Sequence, residues 1–248
     1  MTITAAQIVG NDTISSVASI SVNITPTAGS CLAVFVVNNN GVTPTVSDDQ
    51  NGSYGTLKAN AQWSGDTDVS LFVHENVAGA ATSVTASFSP NSTYCGVIVF
   101  EITGGANPAY QTAVGLHQVA PGGAADAISS DNMNPTVQPC LLIGFSLNAN
   151  ANNPGDNNNV SDPGTGFTNG GVFIRWNGDP GFAAEAARAE YKRLTSTAAV
   201  AATFTANGSS AGGKDHLTVG ATFTEAGAGE GTPMASIGWL TDVRVLVR

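Results

Sequence analysis

The sequence predicts an all-β protein, an antiparallel β-sandwich built from two related halves. Short apolar segments of strand length alternate with turns rich in Asn, Ser and Gly along most of the chain. The same series of segments also occurs twice. A repeated block of antiparallel strands favours one large sandwich whose two halves share a core.

The repeated series is an apolar segment that begins with cysteine, a Val-Ser-Asp turn, a tryptophan and three further apolar segments. Its markers in the first half are Cys31, Val46-Ser47-Asp48, Trp63, Val77, Phe88 and residues 97–100. Those in the second half are Cys140, Val160-Ser161-Asp162, Trp176, Leu194, Phe204 and residues 219–223. We therefore expect Trp63 and Trp176 to occupy related positions, and Phe88 and Phe204 to point inward from matching strands.

This repeat divides the chain into three parts. We expect an N-terminal arm at residues 1–18 and a sandwich at residues 19–226, with its two repeats at about 29–103 and 138–226. Residues 227–248 follow as a glycine-rich hinge and a C-terminal strand or arm, because four of the five odd positions from 239 to 247 are apolar.

The strands of the first half follow from alternation and turn chemistry. Residues 19–25 alternate strictly between apolar and polar, as a half-buried strand does, and a Pro-Thr-Ala-Gly turn ends them. Further strands are expected at residues 31–37, 54–63, 69–76, 83–88 and 94–103. Residues 104–139 contain four prolines and are predicted to connect the halves.

Two passages of the second half leave alternatives. Residues 183–194 have the composition of a good helix, whereas their repeat partner, residues 69–77, is strand-like. We favour a strand, because tertiary pairing often overrides local propensity. The polar loop at residues 148–166 holds seven asparagines and is either functional or simply exposed.

Composition excludes several functional classes. Only 10% of residues are charged, against roughly 25% in an average soluble domain, and the net charge is −10. Nucleic-acid binding is improbable, because the eight Lys and Arg residues form no cluster that could neutralise phosphates. No run approaches the roughly 18 apolar residues of a membrane-spanning helix. The N-terminus lacks a secretory pattern, which fits release by lysis as part of a virus particle.

No pattern in the sequence predicts a catalytic, cofactor-binding or metal site. The spacing of Cys31, Cys95 and Cys140 fits neither a disulfide framework nor zinc, so we expect buried, reduced thiols. The string at residues 208–212 has the form Gly-x-Ser-x-Gly, but it lacks the strand–turn–helix context of a nucleophile elbow. Asp215 and His216 follow it too closely for the usual order of a catalytic triad.

Several polar and aromatic residues have a functional and an ordinary interpretation. His74, His117 and His216 are scattered and resemble ordinary histidines more than metal ligands. The acidic turns at residues 48–51 and 156–162 offer oxygens that suit Ca²⁺, although such residues are common in turns for backbone reasons. The three tryptophans, Trp63, Trp176 and Trp239, could stack on sugars. Trp63 and Trp176 fall at matching repeat positions, which favours a packing role for these two.

Several tracts of the first half carry a family resemblance. They are residues 19–36, the Val46-Ser47-Asp48 turn, residues 69–79 and residues 99–104. The chain here resembles a β-sandwich module of tailed-phage and prophage virion surface proteins, over roughly residues 19–226. The resemblance implies a jelly-roll-like fold and a virion role, and it brings no catalytic residue with it.

The leading hypothesis is a non-enzymatic virion structural protein on the particle surface, most consistent with a capsid decoration or cement protein. Its expected partners are copies of itself, with a homotrimer favoured, and a major capsid or other virion protein. The alternative is a tail or fibre receptor-binding module that recognises a host surface glycan. An esterase-like or glycan-cleaving enzyme is a third class, but the sequence offers no acid/base pair for it.

Overall fold

In the computed structural model we describe residues 2–63, 67–105, 107–119, 127–148, 162–176, 185–206 and 215–225, and all regular structure in these ranges is β. The strands of the first half are β1 (Thr4–Thr13), β2 (Val17–Ile24), β3 (Cys31–Asn38), β4 (Thr45–Asp48), β5 (Gly52–Ser53), β6 (Ala59–Trp63), β7 (Thr67–His74), β8 (Thr82–Ser92) and β9 (Cys95–Thr103). Those of the second half are β10 (Ala109–Val119), β11 (Ala127–Ser129), β12 (Cys140–Asn148), β13 (Asp162–Pro163), β14 (Thr168–Trp176), β15 (Glu185–Leu194), β16 (Thr203–Thr205) and β17 (Asp215–Thr224).

The first half is a jelly roll. Its first strand pairs with its last, its second with the one before the last, β3 with β7 and β4 with β5, all antiparallel. Such a ribbon of paired strands, when rolled up, places alternate pairs in two facing sheets. The inner sheet has the order β1-β9-β3-β7-β6, and the outer sheet has the order β2-β8-β4-β5.

The second half repeats this topology strand for strand. Its inner sheet has the order β10-β17-β12-β15-β14, and its outer sheet has the order β11-β16-β13. Every strand from β1 to β9, apart from the two-residue β5, has a counterpart among the described strands β10 to β17. The prediction of two related halves is therefore confirmed.

A shared irregularity fixes which residues are equivalent. The first strand of each half has a bulge against the last strand, between Ala5 and Gln7 in β1 and between Tyr110 and Thr112 in β10. The bulges align β9 with β17, and the registers of these two strands align β3 with β12. Phe35 of β3 is then the counterpart of Phe145 of β12. Bulges of this kind are features that a fold retains rather than defects.

The two inner sheets pack face to face over a shared apolar core. The equivalent rings of Phe35 and Phe145 stack on each other across this interface, with centroids 5.2 Å apart. Phe100 adds an edge-to-face contact with Phe35 at 5.5 Å. One continuous cluster of buried residues includes members of both inner sheets, so each half completes the core of the other.

The edges of the inner sheets also meet. β6 lies beside β10, and β1 lies beside β14. At the first of these edges a Cβ on Gly115 would lie 2.1 Å from the carbonyl oxygen of Asn60, so only glycine permits this approach. Because each edge strand faces the opposite edge of the other sheet, the pseudo-two-fold axis runs along the strands. Equivalent strand ends therefore lie at the same end of the molecule.

Each jelly roll also has an interior between its inner and outer sheets. In the first half this interior is a large apolar cluster that includes Val34, Phe72 and Phe88. In the second half the apolar cluster found among the described residues is small and consists of Ile128, Ala202, Phe204 and Ala206. The molecule thus has four layers, and the second outer sheet has the smallest apolar attachment.

Several expectations from the sequence hold. Phe88 and Phe204 are buried, on β8 and β16. Residues 185–194 form a strand, as the repeat predicted, and residues 183–184 lie outside the described part. Trp63 and Trp176 are equivalent, because each ends its strand and pairs with the start of the next.

Other expectations are wrong. The proposed arm at residues 1–18 contains β1, which pairs with β9, and Ile3 is buried in the shared core. The proposed connection at residues 104–139 contains β10 and β11, so the second half runs from Ala109 to Thr224 rather than from about 138. The predicted shared core is present, and in addition each half encloses an apolar cluster of its own. Both errors of boundary arise because β1 and β10 consist mainly of half-exposed residues and show little apolar alternation of their own.

The C-terminal segment, residues 227–248, lies outside the described residues. The described part of the chain contains no helix long and apolar enough to cross a membrane.

Candidate functional site

The interior of the second jelly roll contains a group of polar residues that the first jelly roll lacks. The two halves differ at five equivalent interior positions, where the first half has apolar side chains or cysteine. The first-half residue and its second-half counterpart are Phe72 and Glu190, Val34 and Gly144, Val36 and Ser146, Val97 and Thr218, and Cys95 and His216. All five residues on the second-half side are buried. We call Glu190, Ser146, Thr218 and His216 the interior polar group.

Glu190 joins the inner sheet to the outer layer. Its two carboxyl oxygens accept backbone hydrogen bonds at 2.9 Å, one from the N–H of Gly164, directly after β13, and one from the N–H of Thr203, the first residue of β16. A Cβ on Gly144 would lie 3.0 Å from the Glu190 side chain. The glycine on the paired strand therefore provides the space that this side chain occupies.

Burial determines the protonation of Glu190. Loss of water around the carboxyl raises its pKa from 4.5 to about 8, although the hydrogen bonds from Gly164 and Thr203 and the charge of Lys192 act in the opposite direction. A buried carboxyl that stays protonated at neutral pH avoids the cost of an unpaired buried charge. The carboxyl thus serves as a neutral hydrogen-bonding bridge between layers.

Further polar contacts attach the same outer layer. The Nη1 atom of Arg188 lies 3.3 Å from a carboxylate oxygen of Asp162 on β13. The Ser130 hydroxyl accepts a hydrogen bond of 3.1 Å from the N–H of Ala202. Inside the inner sheet the hydroxyls of Ser146 and Thr218 lie 3.1 Å apart. These contacts are structural, since they replace the apolar attachment that the first half uses.

The histidines do not converge. His117 on β10 contacts Asp215 on β17, with 2.6 Å between Nε2 and Oδ1. In the first half the ring of His74 packs on the ring of Tyr54, with centroids 5.1 Å apart. His216 is buried, and its register partner is Gln118. Among the described residues no group of three or more His, Cys, Asp or Glu could hold a metal ion.

The acidic turn at residues 48–51 is held together by internal hydrogen bonds. Burial opposes ionisation of Asp48, yet hydrogen bonds from the side chain and N–H of Asn51, from the Tyr54 hydroxyl and from the N–H of Gln50 keep its pKa below the usual range. The Tyr54 hydroxyl donates to the carboxylate at 2.8 Å. These donors occupy the oxygens that a Ca²⁺ ion would need, so the ordinary turn interpretation fits this segment.

The remaining candidates from the sequence divide into two sets. The three cysteines are buried, with free thiols, and begin β3, β9 and β12. Trp63 is half-buried and packs against the shared core, which agrees with the packing interpretation. Three other candidates lie outside the described residues: residues 208–212, most of the loop at 148–166 including the turn at 156–161, and Trp239.

Sequence reasoning missed Glu190. The repeat was aligned on Cys31 and Cys140, but the strand registers make Cys31 equivalent to Leu141. A shift of one residue exchanges the two faces of a strand. The alignment therefore placed Phe72 opposite Ala189, which faces the shared core, instead of Glu190. A comparison that matched alternation rather than the cysteines would have detected the exchange.

Comparisons with known proteins give little guidance. No protein-family model matches the chain, and no curated protein sequence matches it. The crystal structure of the STIV MCP is 9% identical, with a TM-score of 0.27, and the match covers 89% of this chain and 98% of that one. The atomic structure of Sulfolobus Turreted Icosahedral Virus is also 9% identical, with a TM-score of 0.29 and coverages of 89% and 92%.

A third solved structure has a different biological origin. The CUB1-EGF-CUB2 domain of human MASP-1/3 is 12% identical, with a TM-score of 0.22, and the match covers 86% of this chain and 99% of that one. Overlaps as low as these carry no argument about function. The jelly-roll assignment rests on the strand order of the chain itself.

Proposed function

We propose that the chain is a non-enzymatic virion structural protein, specifically a decoration or cement protein of a capsid surface. The observation that carries the proposal is the union of two jelly rolls through one shared apolar core. Jelly rolls occur in viral capsid proteins, in lectins and in cupins. Fold alone does not select among these, so the proposal also depends on how this chain uses its polar groups.

The polar groups of the described residues support a structural role. The buried carboxyl of Glu190 bridges layers, and Asp48 closes a turn. The low charge of the chain, 10% of residues, is compatible with contacts made by backbone edges and neutral side chains. A decoration protein requires a stable fold and surfaces that contact the shell, and it does not require an active site.

A pair of equivalent residues provides candidate contact points. Ile14 and Val119 are the exposed large apolar residues of the described chain, with 53% and 54% of their surface accessible. They directly follow the equivalent residues Thr13 and Gln118, which pair with the starts of β9 and β17. Since equivalent strand ends share one end of the molecule, a partner would meet two similar apolar points there.

Incorporation into particles tests the proposal. We expect the chain to be found on the shell of the virus that encodes it, in many copies, by immunogold electron microscopy and quantitative mass spectrometry of purified particles. The double variant Ile14→Ser with Val119→Ser should reduce incorporation at least about tenfold, because desolvation of an apolar side chain contributes roughly 1.5–3 kcal/mol. Its unfolding midpoint should stay unchanged, because both side chains are exposed.

The exposed neighbour Ser16 provides the matched control, and Ser16→Ala should be incorporated like the wild type. Absence of the chain from purified particles would reject the virion role. A location on the tail in few copies would reject decoration in favour of a receptor-binding module. The homotrimer is tested separately, by measuring the mass of the purified protein in solution.

A further inference from the structure

A polar cleft of about 480 Å³ lies at the open edge of the first jelly roll. It is lined by Gln7 of β1, Asn23 and Thr25 at the end of β2, Asp49 in the turn after β4, and Thr82 and Ser83 at the start of β8. Sequence reasoning sought a glycan site in the tryptophans and in the loop at residues 148–166. None of those residues lines this cleft.

The walls of the cleft are held in place by hydrogen bonds. The side-chain amide of Gln7 donates to the carbonyl of Thr25 at 2.9 Å and so joins the inner sheet to the outer one. The Oδ1 atom of Asp49 accepts hydrogen bonds from the Thr82 hydroxyl at 2.6 Å and from the N–H of Ser83 at 3.0 Å. The cleft is therefore fixed before any ligand arrives, which lowers the entropic cost of binding.

Several polar atoms in the cleft remain available to a ligand. Asn23 and Ser83 are register partners on adjacent strands, so their side chains project together from the outer sheet. Asn23 is exposed, and the Oδ2 atom of Asp49 is not used by the two donors that hold Oδ1. A planar amide and a carboxylate that line one cleft supply both donors and acceptors to the hydroxyl groups of a ligand.

The negative charge of the cleft disfavours anionic ligands. Among the described residues that line the cleft, Asp49 is the one charged side chain, and hydrogen bonds from Thr82 and Ser83 keep the pKa of its carboxyl below the usual range. Phosphate, sulfate or carboxylate groups would meet a negative charge without a basic partner. A single carboxylate is also fewer than Ca²⁺ sites normally provide. A neutral ligand with several hydroxyl groups matches these donors and acceptors.

We propose that this cleft is a binding site for a neutral saccharide, held by Asn23, Asp49 and Ser83. The methyl group of Ala81, at the rim, offers the apolar contact that the C–H face of a sugar requires. The cleft is open and lacks an aromatic platform, so binding is weak, with a Kd on the order of 1 mM. The inference goes beyond the proposed virion role and does not depend on it.

Saturation-transfer NMR on the full chain tests the site, with glucose, galactose and N-acetylglucosamine at about 10 mM and sialic acid as the anionic comparison. We expect transfer to at least one neutral sugar and none to sialic acid. The Asn23→Ala and Asp49→Asn variants should each weaken binding at least about tenfold. Ser19→Ala should leave it unchanged, because Ser19 is exposed on the same strand but does not line the cleft.

Each contrary outcome overturns the inference. Absence of transfer to all three neutral sugars would reject a saccharide site. Binding that persists in both variants would place the sugar elsewhere on the protein. Binding that disappears on addition of EDTA would indicate a cation site in its place. Thermal unfolding of Asn23→Ala checks that lost binding is not lost folding.

Discussion

Replacing Phe35 with alanine should destabilise the protein by about 3–5 kcal/mol, and the same change at Phe145 should cost a similar amount. Both rings are fully buried, and they stack on each other at the centre of the shared core. The double variant should cost less than the sum of the two, because each single change already removes the stacking contact. Urea denaturation of the three variants measures these quantities.

Phe167 supplies the control for this experiment. Its ring is half-buried at the surface, with the Lys192 ammonium 5.1 Å from the ring centre. Phe167→Ala should therefore cost under about 1.5 kcal/mol. If Phe35→Ala costs no more than Phe167→Ala, the two inner sheets do not share a core. Two separate unfolding transitions in the wild type would lead to the same conclusion.

The stability of the protein should fall as the pH rises from about 4.5 to about 8, and Glu190 should cause much of this fall. The pKa of Glu190 is raised in the folded state, to about 8 from 4.5, because the carboxyl is buried. The folded chain therefore retains a proton that the unfolded chain releases in this range. Linkage then makes the free energy of unfolding decrease with pH.

The Glu190→Gln variant isolates this effect. Gln cannot ionise, so the difference in stability between wild type and variant should change by roughly 2–4 kcal/mol between pH 4.5 and pH 8.5. At low pH the wild type should be the more stable, because the Gln amide places a donor against a backbone N–H. At high pH this advantage should shrink or reverse. Urea denaturation across the pH range gives the values.

Glu101 is the matched control for Glu190. It is also fully buried, on β9 of the first half, and its carboxylate accepts a hydrogen bond from the N–H of Thr27 at 2.6 Å. If Glu101→Gln abolishes the pH dependence of the free energy of unfolding and Glu190→Gln does not, the pH dependence does not come from Glu190. A wild-type profile parallel to that of Glu190→Gln would contradict it as well.

The sequence predicted the fold well wherever alternation was strong. The match between Trp63 and Trp176 followed from the repeat, and apolar patterning and turn residues predicted β2, β3, β6, β7, β8 and β9. The short strands β4 and β5 lie where the sequence predicted turns. β1 and β10 were missed because they are edge strands of half-exposed residues, so their stability comes from pairing with β9 and β17 rather than from their own pattern. Pairing between distant segments leaves little local signal.

The candidate sites were harder to predict than the strands. Glu190 stands in a segment of helical composition, and the strand registers show that it replaces Phe72. The saccharide cleft collects residues from four separate segments, none of which is unusual in itself. Asn23 and Asp49 line one cleft because β2 and β4 lie on either side of β8 in the outer sheet, and this arrangement depends on topology.

The shared core has a consequence for the covalent connection between the halves. Neither jelly roll can cover the apolar face of its inner sheet alone, since the other half supplies the cover. The short link between Thr103 and Ala109 therefore acts mainly by holding the two halves at a high effective concentration. A cut in that link would leave two fragments that still need each other, and the complex of the fragments would keep the architecture of the intact chain.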